Sequence, residues 1–227
     1  EKWSHQVHEF LNSIRSQEFF CAPKPIEIDV CNQVEKVSYI RGDVVNYPLT
    51  EKASSIEALE SAARMLKKYH DSTVKYVKSE SYNNTLWQLP KRDPIEVMCH
   101  GDYAPYNVVL DDIHVVGIID FDTCHPGPRS WDLAYALYRW SPLNNPDNQD
   151  GFGTLTDQAS RSRIFCDIYG YKKEERVELP DLIITRLEVL IDFMEREAKS
   201  GNSTYAQNID KGHAKLYADD IIYITNN

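Results

Sequence analysis

"CHGDYAPYNVVLDDIHVVGIIDFDTCHPGPRSWDLA", residues 99–134, crowds Asp102, Asn107, Asp120, Asp122 and Asp132 into one short stretch. Carboxylates brought together in a fold repel one another and resist desolvation, so such a cluster needs a cation, a proton or an arginine beside it. Short apolar runs flank and interrupt the cluster: "EVMC" before it, "NVVL" inside it, and "HVVGIID" after a turn at Asp111 and Asp112. They read as small strands that present the acidic residues at their ends. The pattern predicts a site that handles a metal and phosphate.

Outward from this stretch the chain alternates strands and helices. Residues 5–19 place Val7, Phe10, Leu11 and Ile14 on one face at helical spacing, with Ser4 as the expected N-cap. Pro23 and Pro25 end that helix, and Ile26, Ile28 and Val30 then alternate with polar residues as a strand. "VEKVSYI", residues 34–40, reads as its partner across a turn at residues 31–33. A strong helix follows, with Ser54 and Glu57 in a capping-box pattern and an apolar stripe of Ile56, Leu59, Ala63, Leu66 and Tyr69. Residues 71–94 are polar and read as a helical extension or loop. After Trp131 the pattern is helical through four segments, the last over 206–224, with "PLNNPDNQDGFG", residues 142–153, as a polar and flexible connector.

Bulk properties bound the function. The chain has 227 residues, 42% of them hydrophobic, which is enough for a real core. A formal charge of −10 argues against general affinity for nucleic acid or an anionic membrane. A cationic small-molecule acceptor is compatible with that balance. The five cysteines contain no CxxC pair and are odd in number, which points to a reducing, cytoplasmic setting. No apolar run is long enough for a membrane span. The nucleophile elbow GxSxG, the P-loop and the GxGxxG dinucleotide turn are all absent from the sequence. Cys99, His100, Cys124 and His125 are zinc-ligand types, but adjacent strand residues point to opposite faces and would struggle to meet at one ion.

Asp102 precedes Asn107 by five residues, and Asp120 follows on the next predicted strand. In protein kinases a catalytic-loop aspartate accepts the proton of the attacking hydroxyl, and an asparagine and a later aspartate hold magnesium. The order here agrees with that scheme. Magnesium takes hard oxygen ligands, and an amide supplies one without another negative charge. "HGDYAPYN", "IDFD" and "GPRSWDLA" resemble the motifs of the aminoglycoside phosphotransferase and choline kinase family over about residues 95–140, and "LKKYHD" and the C-terminal helices resemble it more loosely.

The resemblance implies an α+β, protein-kinase-like fold with a mostly helical C-terminal lobe and a reduced or incomplete N-terminal β lobe. Residues 1–42 would form the partial N-terminal lobe and hinge, and residues 43–227 the catalytic and acceptor-binding lobe. It implies Asp102 as catalytic base, Asn107, Asp120 and Asp122 as contacts to Mg2+, and Tyr39, Ile40 and Arg41 as the hinge under the base of ATP or GTP. The acceptor, a small molecule with a hydroxyl, would lie against the C-terminal helices, where Asp192, Glu195, Asp219 and Asp220 could meet a cation. His100 is expected as a structural histidine bonded to loop backbone, and Arg129 with Asp132 as an orienting ion pair.

Kinase-like enzymes also cover the phosphates from an upper lobe with a loop and a strand lysine. The first forty residues show no evident counterpart: Lys2 and Lys24 are poorly placed, and Glu9 is the one candidate for the lysine's partner. Two explanations are open at this level: residues upstream of Glu1, or a reduced protein. The alternative function is a catalytically weak kinase-fold protein that binds a nucleotide or metabolite.

Overall fold

The computed structural model describes residues 2–32, 34–83 and 85–227. Helix α1 (Ser4–Ser16) turns Val7, Phe10, Leu11 and Ile14 into the core, each at most 3% exposed. At about 1.5–3 kcal/mol for each fully buried side chain, this face outweighs a weak N-terminus. Ser4 is the first helical residue instead of the cap, and Trp3 at the cap position makes no capping hydrogen bond. Strands β1 (Pro25–Asp29) and β2 (Val34–Val37) pair antiparallel as expected. Gln33, at the end of the expected turn, lies outside the described residues. The hairpin leaves Ile26, Val34 and Val37 exposed.

Beyond β2 and a connecting segment, a short helix α2 (Glu51–Ser54) leads into α3 (Ile56–Lys78). The cap of α3 is Ser55, not Ser54, and its hydroxyl accepts from the Ala58 N–H. Ser54 is the last residue of α2, so the expected capping box does not form there. Leu59, Ala63, Leu66 and Tyr69 are fully buried, as the stripe predicts, and Ile56 lies half out of the core. The helix continues to Lys78, which resolves the open reading of the polar region after Asp71.

Two small antiparallel sheets frame the acidic stretch. Strand β3 (Val97–Cys99) pairs with β6 (His125–Gly127), and β4 (Val108–Asp111) pairs with β5 (His114–Ile118). The segment after β2 is sewn to β4 by reciprocal backbone bonds of 2.8 Å between Asp43 and Leu110. Gly42 makes that approach possible: its φ is +141°, and a Cβ there would lie 2.5 Å from the Leu110 carbonyl oxygen.

The remainder is helical: α4 (Arg129–Trp140), α5 (Leu155–Tyr169), α6 (Leu179–Lys199), α7 (Ser203–Asp210) and α8 (His213–Asn226). The single helix expected over 206–224 is two, broken at Gly212 with φ +85°. The connector 142–153 is pinned, contrary to expectation. Buried Asp220 of α8 accepts from the Asn145 N–H, Asn148 Nδ2 and the Tyr138 hydroxyl at 2.7–2.9 Å, and Arg139 bonds Asp150. The architecture is α+β, with strands and helices mixed up to β6 and a larger helical region from α4 onward. Among the described residues no helix is long and apolar enough to cross a membrane.

Candidate active site

The loop between β3 and β4 carries Asp102, and its backbone is fixed before its side chains are. Gly101 has φ +84°, and a Cβ at that position would run into the Thr123 carbonyl oxygen. The fully buried His100 packs edge-on against Phe121, with ring centroids 4.9 Å apart. Its Nε2 is 2.9 Å from the Ile119 carbonyl, and its Nδ1 accepts from the Asp102 N–H. Both ring nitrogens of His100 are thus spent on backbone groups.

Asp132, on the first turn of α4, holds the same loop from beneath. Its Oδ2 accepts from the His100 N–H at 2.7 Å and lies 2.9 Å from His70 Nε2, and its Oδ1 accepts from the Gly101 N–H at 2.9 Å. Burial would push its pKa up, but the hydrogen bonds from the His70 ring and the His100 N–H hold it at about 2. Burial also depresses the His70 pKa. A neutral His70 then donates from Nε2 to Asp132 and accepts at Nδ1 from the Tyr169 hydroxyl, 2.6 Å away.

The expected Arg129–Asp132 ion pair does not form. Arg129 bonds Asp71 at 2.8 Å and the Tyr169 hydroxyl at 3.3 Å, so it reaches Asp132 only through Tyr169 and His70. The reason is position: α3 supplies both His70 and Asp71, and each captures a partner that the local sequence assigns to the other.

Asp102 is partly buried, and both its carboxylate oxygens are engaged. The Tyr106 hydroxyl donates to Oδ1 at 2.8 Å and Asn107 Nδ2 donates to Oδ2 at 2.9 Å. Burial raises the Asp102 pKa, the Tyr106 bond opposes that shift, and the Asp120 charge adds to it. With Nδ2 turned to Asp102, the carbonyl oxygen of Asn107 faces away from it. Asp120 is exposed and left-handed at φ +60°, just after β5. Phe121 beside it is buried against Phe10 of α1 and Tyr69 of α3, which ties this loop to the core. Asp122 is half-buried.

Among the described residues, no group of three or more His, Cys, Asp or Glu side chains is arranged to hold a metal. Cys99, His100, Cys124 and His125 accordingly form no zinc site: Cys99 Sγ faces the Pro128 carbonyl and His100 the Ile119 carbonyl. A hard cation brought in with phosphate oxygens is a different case. Asn107, Asp120 and Asp122 offer only oxygen, and the Asp120 charge that raises the Asp102 pKa is one that a cation would neutralise. The donor set fits Mg2+ in its chemistry.

Asp102 also forms part of the wall of an open cavity of about 640 Å³, lined by α4, α6, α7 and α8 together with Leu89, Pro90, Arg92 and the loops that carry Asp102 and Thr123. Tyr135, Arg186, Phe193, Tyr205 and Tyr217 are among its walls. Of the four acidic side chains expected to meet an acceptor, Asp192 and Glu195 line it; Asp219 pairs with Lys215, and Asp220 is spent on the connector. Tyr39, Ile40 and Arg41 lie away from this cavity, where Ile40 packs on Gly117 of β5 and Tyr39 is 83% exposed. Sequence reasoning missed His70, Tyr106, Tyr169 and Arg186. Tyr106 was within reach of it, four residues from Asp102; the others come from distant helices.

Comparison with known proteins bears on the family and the fold. Residues 79–159 match the model of the phosphotransferase enzyme family. The trifolitoxin immunity protein of Rhizobium leguminosarum bv. trifolii is 27% identical over 191 residues, covering 81% of this chain and 70% of that protein. A proposed aminoglycoside phosphotransferase of Ralstonia eutropha superposes with a TM-score of 0.63 at 13% identity, covering 99% of this chain and 83% of that one. An amicoumacin kinase, solved with AMP-PNP, Ca2+ and Ami, superposes with a TM-score of 0.61 at 12% identity, covering 93% and 78%. At these identities the superpositions establish the fold. Residues 79–159 are thus similar in sequence to the phosphotransferase enzyme family, and the chain as a whole shares the fold of kinase-like phosphotransferases.

Proposed function

We propose that this chain is a small-molecule phosphotransferase that moves the γ-phosphoryl group of ATP or GTP to a hydroxyl, with Mg2+. The observation that carries the reading is the placement of Asp102. Its carboxylate is oriented by Tyr106 and Asn107 at the wall of a cavity large enough for a small acceptor. Residues 1–42 would serve the nucleotide side, with Tyr39, Ile40 and Arg41 against the base, and residues 43–227 the catalytic and acceptor side.

Asn107, Asp120 and Asp122 would hold Mg2+, which neutralises charge on the transferring phosphates when bound. Asp102 accepts the hydroxyl proton as the acceptor oxygen bonds to the γ-phosphorus and the bond to the bridging oxygen breaks, leaving ADP or GDP. Two neutral donors fix the plane of the carboxylate without quenching its charge, and burial makes it a stronger base than an ordinary aspartate. Asp132 is a positioning residue. It supports the backbone of His100 and Gly101 and touches neither substrate.

The test separates binding from chemistry. Asp102→Ala is expected to cut γ-phosphate transfer by a factor of roughly a thousand or more while leaving the nucleotide Kd within about threefold. Equal loss of both, or transfer that survives, would refute the role.

A further inference from the structure

The cavity beside Asp102 carries more positive than negative side chains: Arg92, Arg186, Arg196 and Lys199 against Asp102, Asp192 and Glu195. Lys199 is spent on Glu195 at 3.2 Å. Arg92 and Arg186 have no carboxylate partner among the described residues, where the ion-paired arginines are Arg64, Arg129, Arg139 and Arg176. Both guanidinium groups lie over the Trp131 ring instead, 3.7 Å and 5.4 Å from its centroid, and that of Arg186 also lies 4.7 Å over Tyr135. Burial and the charge of Arg186 together hold the Arg92 pKa below its ordinary value. Two like charges on one indole repel each other, and an anion between them would relieve that.

Two buried atoms mark the same place. Arg186 is 5% exposed; its Nη2 donates to the Gly101 carbonyl at 2.6 Å, and its Nε has no partner. His125 is fully buried, its Nδ1 lies 2.9 Å from the Thr123 carbonyl, and its Nε2 has no partner. Burial pushes the His125 pKa down to about 4, so the ring is neutral, Nδ1 donates and Nε2 is an acceptor. The cluster therefore offers guanidinium N–H donors to an oxyanion and one acceptor to a neighbouring donor group.

We infer that Arg92 and Arg186 form an acceptor subsite for a carboxylate, so that the molecule phosphorylated is a small hydroxy acid with its hydroxyl at Asp102. This rests on the phosphotransferase reading above. Arg186 is bonded to the carbonyl of the residue before Asp102, so anion and hydroxyl are only a few bonds apart and the molecule is compact. The planar guanidinium matches a carboxylate with paired hydrogen bonds. The inference replaces the cationic acceptor that the net charge of the chain suggests: that charge resides elsewhere on the surface, not at this wall.

The test needs no nucleotide. Binding of 3-hydroxybutyrate, its neutral amide, choline and inorganic phosphate to the full chain is measured by NMR titration for wild type, Arg92→Gln, Arg92→Lys and Arg186→Lys. The hydroxy acid is expected to bind at least about tenfold more tightly than the amide or choline. Arg92→Gln should erase that preference and Arg92→Lys should keep part of it, with Tm unchanged within about 2 °C for both. Choline or the amide binding as tightly as the hydroxy acid, phosphate displacing it as the preferred anion, or a preference that survives Arg92→Gln would overturn the inference. The two readings fail separately. An anion preference without transfer to any hydroxy acid sinks the phosphotransferase, and transfer to cationic alcohols without an anion preference sinks the subsite.

Discussion

Replacing Asp132 by asparagine tests how the loop that carries Asp102 is held. The carboxylate is fully buried and receives two backbone N–H groups, from His100 and Gly101, and the His70 ring N–H, at 2.7–2.9 Å. In Asp132→Asn the amide nitrogen must face at least one of those donors, so one or two charge-assisted bonds worth about 1.5–3 kcal/mol each are lost and a donor is left unpaired. The expected loss is about 3–5 kcal/mol, or roughly 6–20 °C in Tm for a chain of this size. The acid limb gives an independent reading. A carboxyl that titrates at about 2 in the folded chain and at 3.8 when unfolded contributes about 2 kcal/mol. Because the folded pKa is the lower one, that contribution is complete above about pH 5, falls as the pH drops through 3.8, and is gone below about pH 2. Wild type should lose this increment on acidification and Asp132→Asn should not. Denaturant unfolding at pH 7, 5, 4 and 3 measures both. A variant within about 2 °C of wild type, with a parallel acid profile, would refute the assignment.

Two further outcomes follow from the same geometry. Tyr106→Phe removes the hydroxyl that lowers the Asp102 pKa, so the acid limb of the kcat/KM profile should move to higher pH; a limb that stays, or moves to lower pH, would remove Tyr106 from the base. Asp220→Ala unties Asn145, Asn148 and Tyr138, and limited proteolysis should then cut within residues 142–153 at least about tenfold faster while cleavage elsewhere changes little; uniform acceleration would mean global destabilisation instead.

What the sequence made legible was local. Asp102 and Asn107 share one loop, and their five-residue spacing lets a side-chain bond form between them without any distant element. The strands around them announce themselves by short apolar runs, and the stripe of α3 by helical spacing. The misreadings at the site and in the connector are long-range, whereas those at helix ends are shifts of a residue or a local turn. Arg129 and Asp132 lie one helical turn apart in sequence, yet their partners arrive from α3 and α5, and no periodicity encodes which of two nearby charges a distant histidine will take. The connector 142–153 is rich in Asn, Asp, Pro and Gly, as a mobile loop would be, but its amides are the donors that buried Asp220 of α8 requires. Gly212 sits inside a helical pattern and breaks it because the chain turns there in the left-handed region. Arg92 and Arg186 are ninety-four positions apart, and only the tertiary fold brings both to Trp131.

The central claim is that Asp120 and its neighbours hold a magnesium nucleotide beside Asp102, and ligand-dependent thermal unfolding tests it most directly. At a nucleotide concentration about a hundred times Kd, binding adds about 2.7 kcal/mol, which raises Tm by roughly 5–10 °C at this chain length. The account predicts such a rise with ATP or GTP that requires Mg2+ and disappears in Asp120→Ala. No rise with either nucleotide, or a rise that persists without Mg2+ and in Asp120→Ala, would contradict it.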